Sequence, residues 1–376
     1  MIQKIFSVEQ IRWADQYTIE HEPILSIDLM ERAGRECVIW LKQHAQDNQE
    51  FAIFCGPGNN GGDGLVIARL LAEDTYGVKV FVLNLNDRFS VDFATNYERL
   101  KSMEHIELVE WKEMPKEFPE FSAKTIIIDA IFGSGLSKPL KGLPAQVIKK
   151  LNENHHIKVA IDIPSGLFAD KVLESNKDMV FFADYTLSFQ FPKLSFLWPE
   201  NELIVGQWNI LDIGLSPEYI FQTTTPYYFL SPEFVSTLLK PRGKFSHKGS
   251  FGHLLMIAGD HAKMGAAILS SKAALRSGVG LVTLHHPKDS GSLLNVIPEV
   301  MSSRDNNEEA FTSAPDLSKY SNIAIGPGLG TRKQTANALK MLLQEVSSPM
   351  VFDADALNIL SDNKTWLSFI PSQSIL

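Results

Sequence analysis

Residues 55–71 read CGPGNNGGDGLVIARLL, a junction in which five glycines and two asparagines fill the first ten positions before an apolar helical pattern begins. Taken literally, Gly56 to Gly61 fits G-x-G-x-x-G, the phosphate-cradling fingerprint of dinucleotide-binding folds. In that fold an acidic residue about 20 positions further on closes the second strand and holds a ribose. Here the second strand, VKVFVLN, ends at Asn84, and Asp87 comes only in the following loop. The glycines also run on through Gly62 and Gly64, so Asn59, Asn60 and Asp63 line the expected helix start. A carboxylate there repels the phosphate that a helix N-terminus attracts. The stretch therefore points away from an ordinary hydride-carrier site. A plain helix cap at Asp63 is the competing reading.

Outward from this junction the chain reads as two α/β blocks. A length of 376 residues favours two domains. With 44% hydrophobic and 21% charged residues, both can bury ordinary cores. A net charge of −9 without long like-charge runs argues against a nucleic-acid partner. Cys37 and Cys55, the only cysteines, lie far apart in apolar surroundings, which excludes a disulfide framework or thiolate metal site. The opening MIQKIFSVEQIRWADQ lacks the apolar core of a signal peptide, and no stretch approaches a membrane span, so a cytoplasmic protein without a membrane partner is expected.

Ser7 and Gln10 have capping-box spacing before a helix around residues 11–20, and a second helix is predicted through SIDLMERAGRECVIWLKQH. The apolar runs FAIFC, VKVFVLN, TIIID, KVAID and DYTLSF then alternate with helices, which indicates a parallel sheet covered on both faces. The Pro/Thr-rich segment LDIGLSPEYIFQTTTPYYFLSPEF reads as a linker, giving domains at 1–222 and 227–376. In the second block GHLLMIAG and LVTLHH flank the helix MGAAILSSKAALRSG, with Gly278 as its stop. NIAIGPGLG and PMVFDADALNIL follow, and SQSIL begins a further strand.

Two more strand ends carry chemistry. TIIIDAIFGSGL places Asp129 at the end of one strand, followed by Gly133-Ser134-Gly135; VAIDIPSGL does the same with Asp162, followed by Ser165-Gly166. Loops at the carboxyl ends of parallel strands converge on one crevice, where ligands bind. Three turns that each join glycine to oxygen-bearing side chains thus describe a single pocket.

The motifs CGPGNNGGDG, DAIFGSGL and DIPSGL, in that order and after LMERAG, resemble the epimerase domain of NAD(P)H-hydrate repair enzymes. KGSFGHLLMIAGD, MGAAILSSKAALRSGVGLVT, IGPGLG and DADALN resemble the ADP-dependent dehydratase fused to it, a ribokinase-like fold. The resemblance spans nearly the whole chain. It implies a Rossmann-like doubly wound α/β sheet followed by a truncated ribokinase-like α/β domain. One domain would interconvert the R and S hydrates, and the other would remove water from the S form, with ADP or ATP and Mg²⁺ as cofactors. The small-molecule substrate would be hydrated NADH or NADPH, handled by a homodimer or larger homo-oligomer.

Carried over residue by residue, the resemblance assigns the hydrate to Asn59, Asn60, Gly61, Gly62, Asp63 and the loop Gly133, Ser134, Gly135, Leu136, Ser137, Lys138, Pro139. Their glycines would allow close backbone approach to the pyrophosphate. Asn60, Asp129 and Ser165 match potassium-site positions, and a hard cation wants such oxygens. Asp162 is the candidate acid/base and a further substrate contact, because epimerisation at a hydroxyl-bearing carbon needs a group that takes and returns a proton. Structural turn aspartates are the alternative at Asp129 and Asp162. The roles of Thr186 and Lys193 stay open. In the second block the resemblance places Gly265, Ala266 and Gly328 at the hydrate pocket, with Asp353 and Asp355 as nearby polar contacts; small residues that only permit packing are the alternative. His253, His285 and His286 have no metal-ligand spacing.

The resemblance also implies a histidine-containing Pro-Gly-Glu stretch, a nucleotide-binding Lys-Gly segment and a Gly-Thr-Gly-Asp turn with the dehydratase base. None is among the 376 residues, so these residues are expected to epimerise but not to dehydrate. Two other function classes are kept: a non-catalytic scaffold of the same N-terminal fold, and a ribokinase-like small-molecule kinase. Intact Asn60, Asp129, Asp162 and Ser165 favour the enzyme over the scaffold.

Overall fold

A computed structural model describes residues 3–46, 48–85, 88–103, 106–172, 179–239, 241–288 and 296–376. The chain forms two compact units, Met1–Leu239 and Lys240–Leu376.

The first unit opens with β1 (Gln3–Ile5), α1 (Val8–His21) and α2 (Ser26–His44). It continues through β2 (Glu50–Cys55), α3 (Asn59–Glu73), β3 (Gly77–Leu83), α4 (Val91–Lys101), β4 (Glu107–Trp111) and β5 (Thr125–Ala130). Then come α5 (Leu143–Asn152), β6 (Lys158–Ile161), β7 (Tyr185–Phe189), α6 (Glu202–Val205) and β8 (Gln207–Leu211). It closes with α7 (Pro217–Gln222), β9 (Tyr227–Phe229) and α8 (Pro232–Leu238). Seven strands make one all-parallel sheet in the order β4-β3-β2-β5-β6-β7-β8.

Strand periodicity distributes the core over both faces. Phe51, Ile53 and Cys55 of β2 pack with α2, α3 and α4, while Ala52 and Phe54 pack with α5. Each fully buried ring such as Phe51 or Phe54 contributes roughly 1.5–3 kcal/mol. α1 begins in the expected capping box, with the Gln10 N–H donating to Ser7 Oγ at 3.3 Å and the Ser7 N–H to Gln10 Oε1 at 3.0 Å.

The strand order reverses between β2 and β5, so their carboxyl ends open a crevice there. The β2–α3 junction corrects one expectation. Gly58 is the N-cap and α3 starts at Asn59, so Gly61, Gly62, Asp63 and Gly64 lie inside the helix, and Asp63 caps nothing. None of the five glycines has a positive φ; most serve close packing within the protein. A Cβ on Gly56 would fall 1.9 Å from the Ile131 carbonyl oxygen, and one on Gly61 would fall 1.8 Å from that of Gly56. Gly62 packs on Met30, and Gly64 on Ala130 and Cys55. Only the Gly58 position faces open space.

The stretch read as a linker is structured. Ser216 and Ser231 cap α7 and α8, and β9 pairs antiparallel with β1, matching Ile5 with Tyr227. Residues 227–229, expected to open the second domain, thus lie within the first unit, because a local period cannot reveal a partner more than 200 residues upstream.

The second unit contains β10 (His253–Ile257), α9 (Met264–Arg276), β11 (Leu281–His286), β12 (Met301–Arg304), β13 (Asn322–Ile325), α10 (Lys333–Glu345), β14 (Met350–Phe352) and α11 (Asp355–Asp362). Its parallel order is β12-β11-β10-β13-β14, reversing between β10 and β13. Gly278, at φ +108°, follows the end of α9. In the final SQSIL segment, Ile375 bridges Val351 in parallel register.

The junction geometry predicts a sharp contrast between neighbouring glycines. Gly61→Ala must push backbone apart and is expected to cost about 3 kcal/mol or more. Gly58→Ala meets open space and should stay within about 1 kcal/mol. Urea denaturation of the two variants checks this.

Candidate functional site

A cleft of about 620 Å³ lies at the reversal of the first sheet. The β2–α3 junction contributes Gly58 and, from the start of α3, Asn59, Asn60 and Asp63; the loop after β5 contributes Ile131 to Lys138; the turn after β6 contributes Asp162. Ile11 and Ile19 of α1, Leu29, Met30 and Ala33 of α2, and Phe189, Ile213 and Leu215 make an apolar wall, in which Arg12, Asp15 and Ser26 are set. Of the sequence-predicted contacts, Gly61, Gly62 and Pro139 are not on this wall. Asp87 lies outside the described residues.

Asp162 is the most constrained group. Its φ is +65°, a left-handed conformation that few side chains other than Asn and Asp adopt readily. The Asp162 N–H donates to the Leu187 carbonyl at 2.7 Å, tying the turn to β7. One carboxylate oxygen lies 2.7 Å from Lys193 Nζ; the other accepts the Ser134 N–H at 2.8 Å. Lys193 is itself buried, and its ammonium also donates to Ser188 Oγ at 2.9 Å. Burial pushes the Asp162 carboxyl up, but the Lys193 charge and the hydrogen bonds from Lys193 and Ser134 outweigh it. The net result is a pKa below the ordinary carboxylate value, so Asp162 is ionised in a nearly dry crevice.

The other carboxyls shift the opposite way. Asp63 is pushed well up by burial and by the charges of Asp162 and Asp15. Asp129, fully buried, is pushed up to about 6 by burial despite three donors: the Ile131 N–H, the Ser165 N–H and the Ser165 hydroxyl, at 3.1, 2.7 and 2.7 Å. The Phe132 N–H in turn donates to Ser165 Oγ at 2.8 Å. Asp129 and Ser165 stand behind the cleft wall, where they bind the β5 and β6 loops together.

Asn60 is singular: both polar atoms of its side-chain amide are buried and lack a partner. Such a group costs stability unless a ligand satisfies it. Among the described residues no cationic side chain pairs with the buried Asp129 carboxylate, whose partners are Ser165 and the Ile131 N–H.

The sequence does not reveal two groups that bear on the cleft. Lys193, a lysine just past a strand, reads as surface but is buried against Asp162. Asp15 lines the cleft from α1, four residues after Ile11 and four before Ile19. A carboxyl one helical turn from both Ile11 and Ile19 is the available signal. Thr186 is structural; its hydroxyl donates to the Val205 carbonyl at 2.7 Å.

In the second unit, Gly328 takes φ +65°, and a Cβ there would fall 2.9 Å from Ala266 Cβ and 2.8 Å from the Lys263 carbonyl oxygen. Gly265 opens onto free space. The Asp355 carboxylate accepts the Gly330 N–H at 2.8 Å and Lys263 Nζ at 3.2 Å, tying the turns after β10, β13 and β14 together. Among the described residues the Asp353 carboxylate accepts only its neighbour's N–H, from Ala354. His285 and His286 are buried and hydrogen-bonded, to Ser303 and Asp305 and to Ser302 and Pro287; His253 pairs with Thr283.

Residues 26–195 match the family model for the YjeF-related protein N-terminus, and residues 254–376 match that for NAD(P)H-hydrate dehydratase. The bifunctional NAD(P)H-hydrate repair enzyme Nnr of Moorella thermoacetica is 34% identical over 90% of this chain and 66% of its own length. That of Thermofilum pendens is 32% identical over 95% of this chain and 69% of its own. The chain thus spans about two thirds of these relatives. A solved ADP/ATP-dependent NAD(P)H-hydrate dehydratase of Bacillus subtilis, co-crystallised with ATP and Mg²⁺, is 32% identical over 33% of this chain and 45% of that one, with a TM-score of 0.30. Among the described residues no helix is long and apolar enough to cross a membrane.

The buried pair gives a test. Lys193→Met leaves an uncompensated carboxylate and should cost about 3–5 kcal/mol near neutrality. Wild-type Asp162, with its lowered pKa, supports folding above its unfolded value, and that support is lost as pH falls through the folded one. The variant's Asp162 instead gains from protonation. The stability gap should therefore narrow as pH drops from about 8 towards 4. Denaturation series on both proteins measure it; a constant gap would remove the ion pair from the account.

Proposed function

The chain belongs to the family of bifunctional NAD(P)H-hydrate repair enzymes, and we propose that its first unit interconverts the R and S hydrates of NADH and NADPH. One observation carries the reading: an ionised carboxylate, Asp162, is fixed by buried Lys193 and the Ser134 N–H where three strand-end loops meet. A base that is dry yet charged, and clamped in direction, suits proton removal from a hydroxyl on a bound ring. Asn59, Asn60, Asp63 and the residues 133–138 supply polar walls for the hydrated dinucleotide, and the apolar wall excludes water.

The resident cation of this reading is potassium, held by Asn60, Asp129 and Ser165. When bound, it would supply positive charge close to an anionic substrate. Asn60's unpartnered amide supports the assignment. For the second unit the reading is dehydration of the S hydrate with ADP or ATP and Mg²⁺, with Gly265, Ala266 and Gly328 along the hydrate side. The substrate is a small molecule, and a homodimer or larger assembly belongs to the same reading.

Asp162→Asn preserves shape and removes the base. Exchange between R and S hydrates, followed by chromatography, should slow by about a hundredfold or more. Wild-type exchange in a folded Asp162→Asn protein would discard the mechanism. For the cation, thallium-soaked crystals should show anomalous density beside Asn60, Asp129 and Ser165, absent in Asn60→Ala. Hydrate binding by that variant should weaken and lose its dependence on potassium. An empty site in the wild-type crystals would count against it.

A further inference from the structure

Resting on the epimerase reading, we infer that Asp15 is a second catalytic residue, the proton donor that works with Asp162. Asp15 lines the same cleft from α1. The helix residues that line the cleft with it are mostly apolar, Ile11 and Ile19 of α1 and Leu29, Met30 and Ala33 of α2, with Arg12 and Ser26 the polar exceptions. Among the described residues no hydrogen bond or ion pair engages its carboxyl, unlike Asp162, Asp129 or Asp355. A carboxyl that lines the cleft and is engaged by no hydrogen bond or ion pair among the described residues has its hydrogen-bonding capacity free for a ligand.

The electrostatics agree with the geometry. Burial and the neighbouring Asp162 charge push Asp15 up to about 7, with Lys193 opposing. The charges that act on it are Asp162 and Lys193 from the strand ends, with Asp63 of α3 coupled to it, while Lys138 of the β5 loop and Arg12 of α1 line the same cleft. The cleft-lining residues of α2 carry no charge. Two carboxyls of one cleft are thus driven apart, Asp162 to the anion and Asp15 to the acid, the pattern that assigns base and acid.

The chemistry balances with these two groups alone. The hydrated carbon bears a hydroxyl and is bonded to the ring nitrogen. Asp162 takes the hydroxyl proton, and the oxygen's electron pair forms a carbonyl. The carbon–nitrogen bond breaks, its electron pair goes to nitrogen, and nitrogen takes the Asp15 proton. Rotation about the adjacent carbon–carbon bond presents the other carbonyl face. Nitrogen then attacks the carbon and returns its proton to Asp15, while Asp162 protonates the oxygen. The ring is inverted and both carboxyls are restored.

Asp15→Asn tests this on the full chain, with exchange of the hydrates measured against the uncatalysed rate. The turnover number should fall about a hundredfold or more while KM changes little. Because Asp15 acts as the acid, wild-type turnover should decline as pH rises through about 7. That alkaline limb should be missing from the residual Asp15→Asn activity and kept by Asp15→Glu. An Asp15→Asn enzyme with wild-type turnover and an unchanged alkaline limb overturns the inference. If Asp15→Asn does not fold, Asp15→Glu and wild-type decide: identical rates and no alkaline limb in either also overturn it. Wild-type protein that never exceeds the uncatalysed rate rejects the epimerase reading itself, a different outcome from a silent Asp15 variant.

Discussion

Everything in the first unit's cleft depends on a charge kept where charge is expensive. Moving a carboxylate out of water costs several kcal/mol even after relaxation, and Asp162 is withdrawn behind three loops. Lys193 makes this tolerable, at 2.7 Å and almost wholly buried, and it is itself held by Ser188. The pair is also directional. With one oxygen facing Lys193 and the other the Ser134 N–H, the carboxylate cannot rotate freely, so its remaining lone pairs point where the loops direct them. The left-handed backbone at Asp162 is the local strain that this placement requires.

That placement works only if the loops approach closely, and the glycines make the approach possible. Gly56 lets the β2 turn lie against the Ile131 carbonyl, and Gly61 lets α3 lie against Gly56. The Gly133 backbone reaches Asn60 and Asp162 because no Cβ stands there; one would fall 3.0 Å from Asp162 Oδ2 and 3.3 Å from Asn60. Beneath them Asp129 staples the β5 end to the β6 turn through Ser165. The conspicuous motif is therefore chiefly internal carpentry. It compacts the strand ends until Asp162 of the β6 turn shares one cleft with Asp63 of α3 and Asp15 of α1.

This explains what could be read in advance. Alternating apolar runs and helices are local, so β2, β3, β5, β6 and β7 and the two-block α/β plan were legible, as was the convergence of three strand-end turns. The partner of β9 was not, because its pairing with β1 is non-local. The half-exposed strands β4, β8 and β12 lack the continuous apolar run that identifies a buried strand. At the glycines, composition suggested a bend, whereas the residues continue a helix; glycine for close approach and glycine for positive φ look alike in one sequence. Asp15 and Lys193 stayed hidden for a related reason: a charged residue in a helix or past a strand reads as solvated until the fold buries it.

The same burial makes the cleft a weak point in stability. An acid whose pKa is raised in the folded state is stabilising only while protonated, and that contribution is lost as pH rises from its unfolded value to its folded one. For Asp129, moved from 3.8 to about 6, the loss is on the order of 3 kcal/mol at neutral pH. Asp63 is shifted in the same direction, and the Asn60 amide adds an unsatisfied pair of polar atoms. The packed strands Phe51–Phe54 and Ile126–Ile128 offset these costs from below. A ligand that neutralised Asp129 and engaged Asn60 would relieve them from above, and whatever binds only the folded state stabilises it. Stability and ligand binding are thus one coupled equilibrium: the buried Asp63, Asp129 and Asn60 side chains cost stability that a ligand engaging them would return.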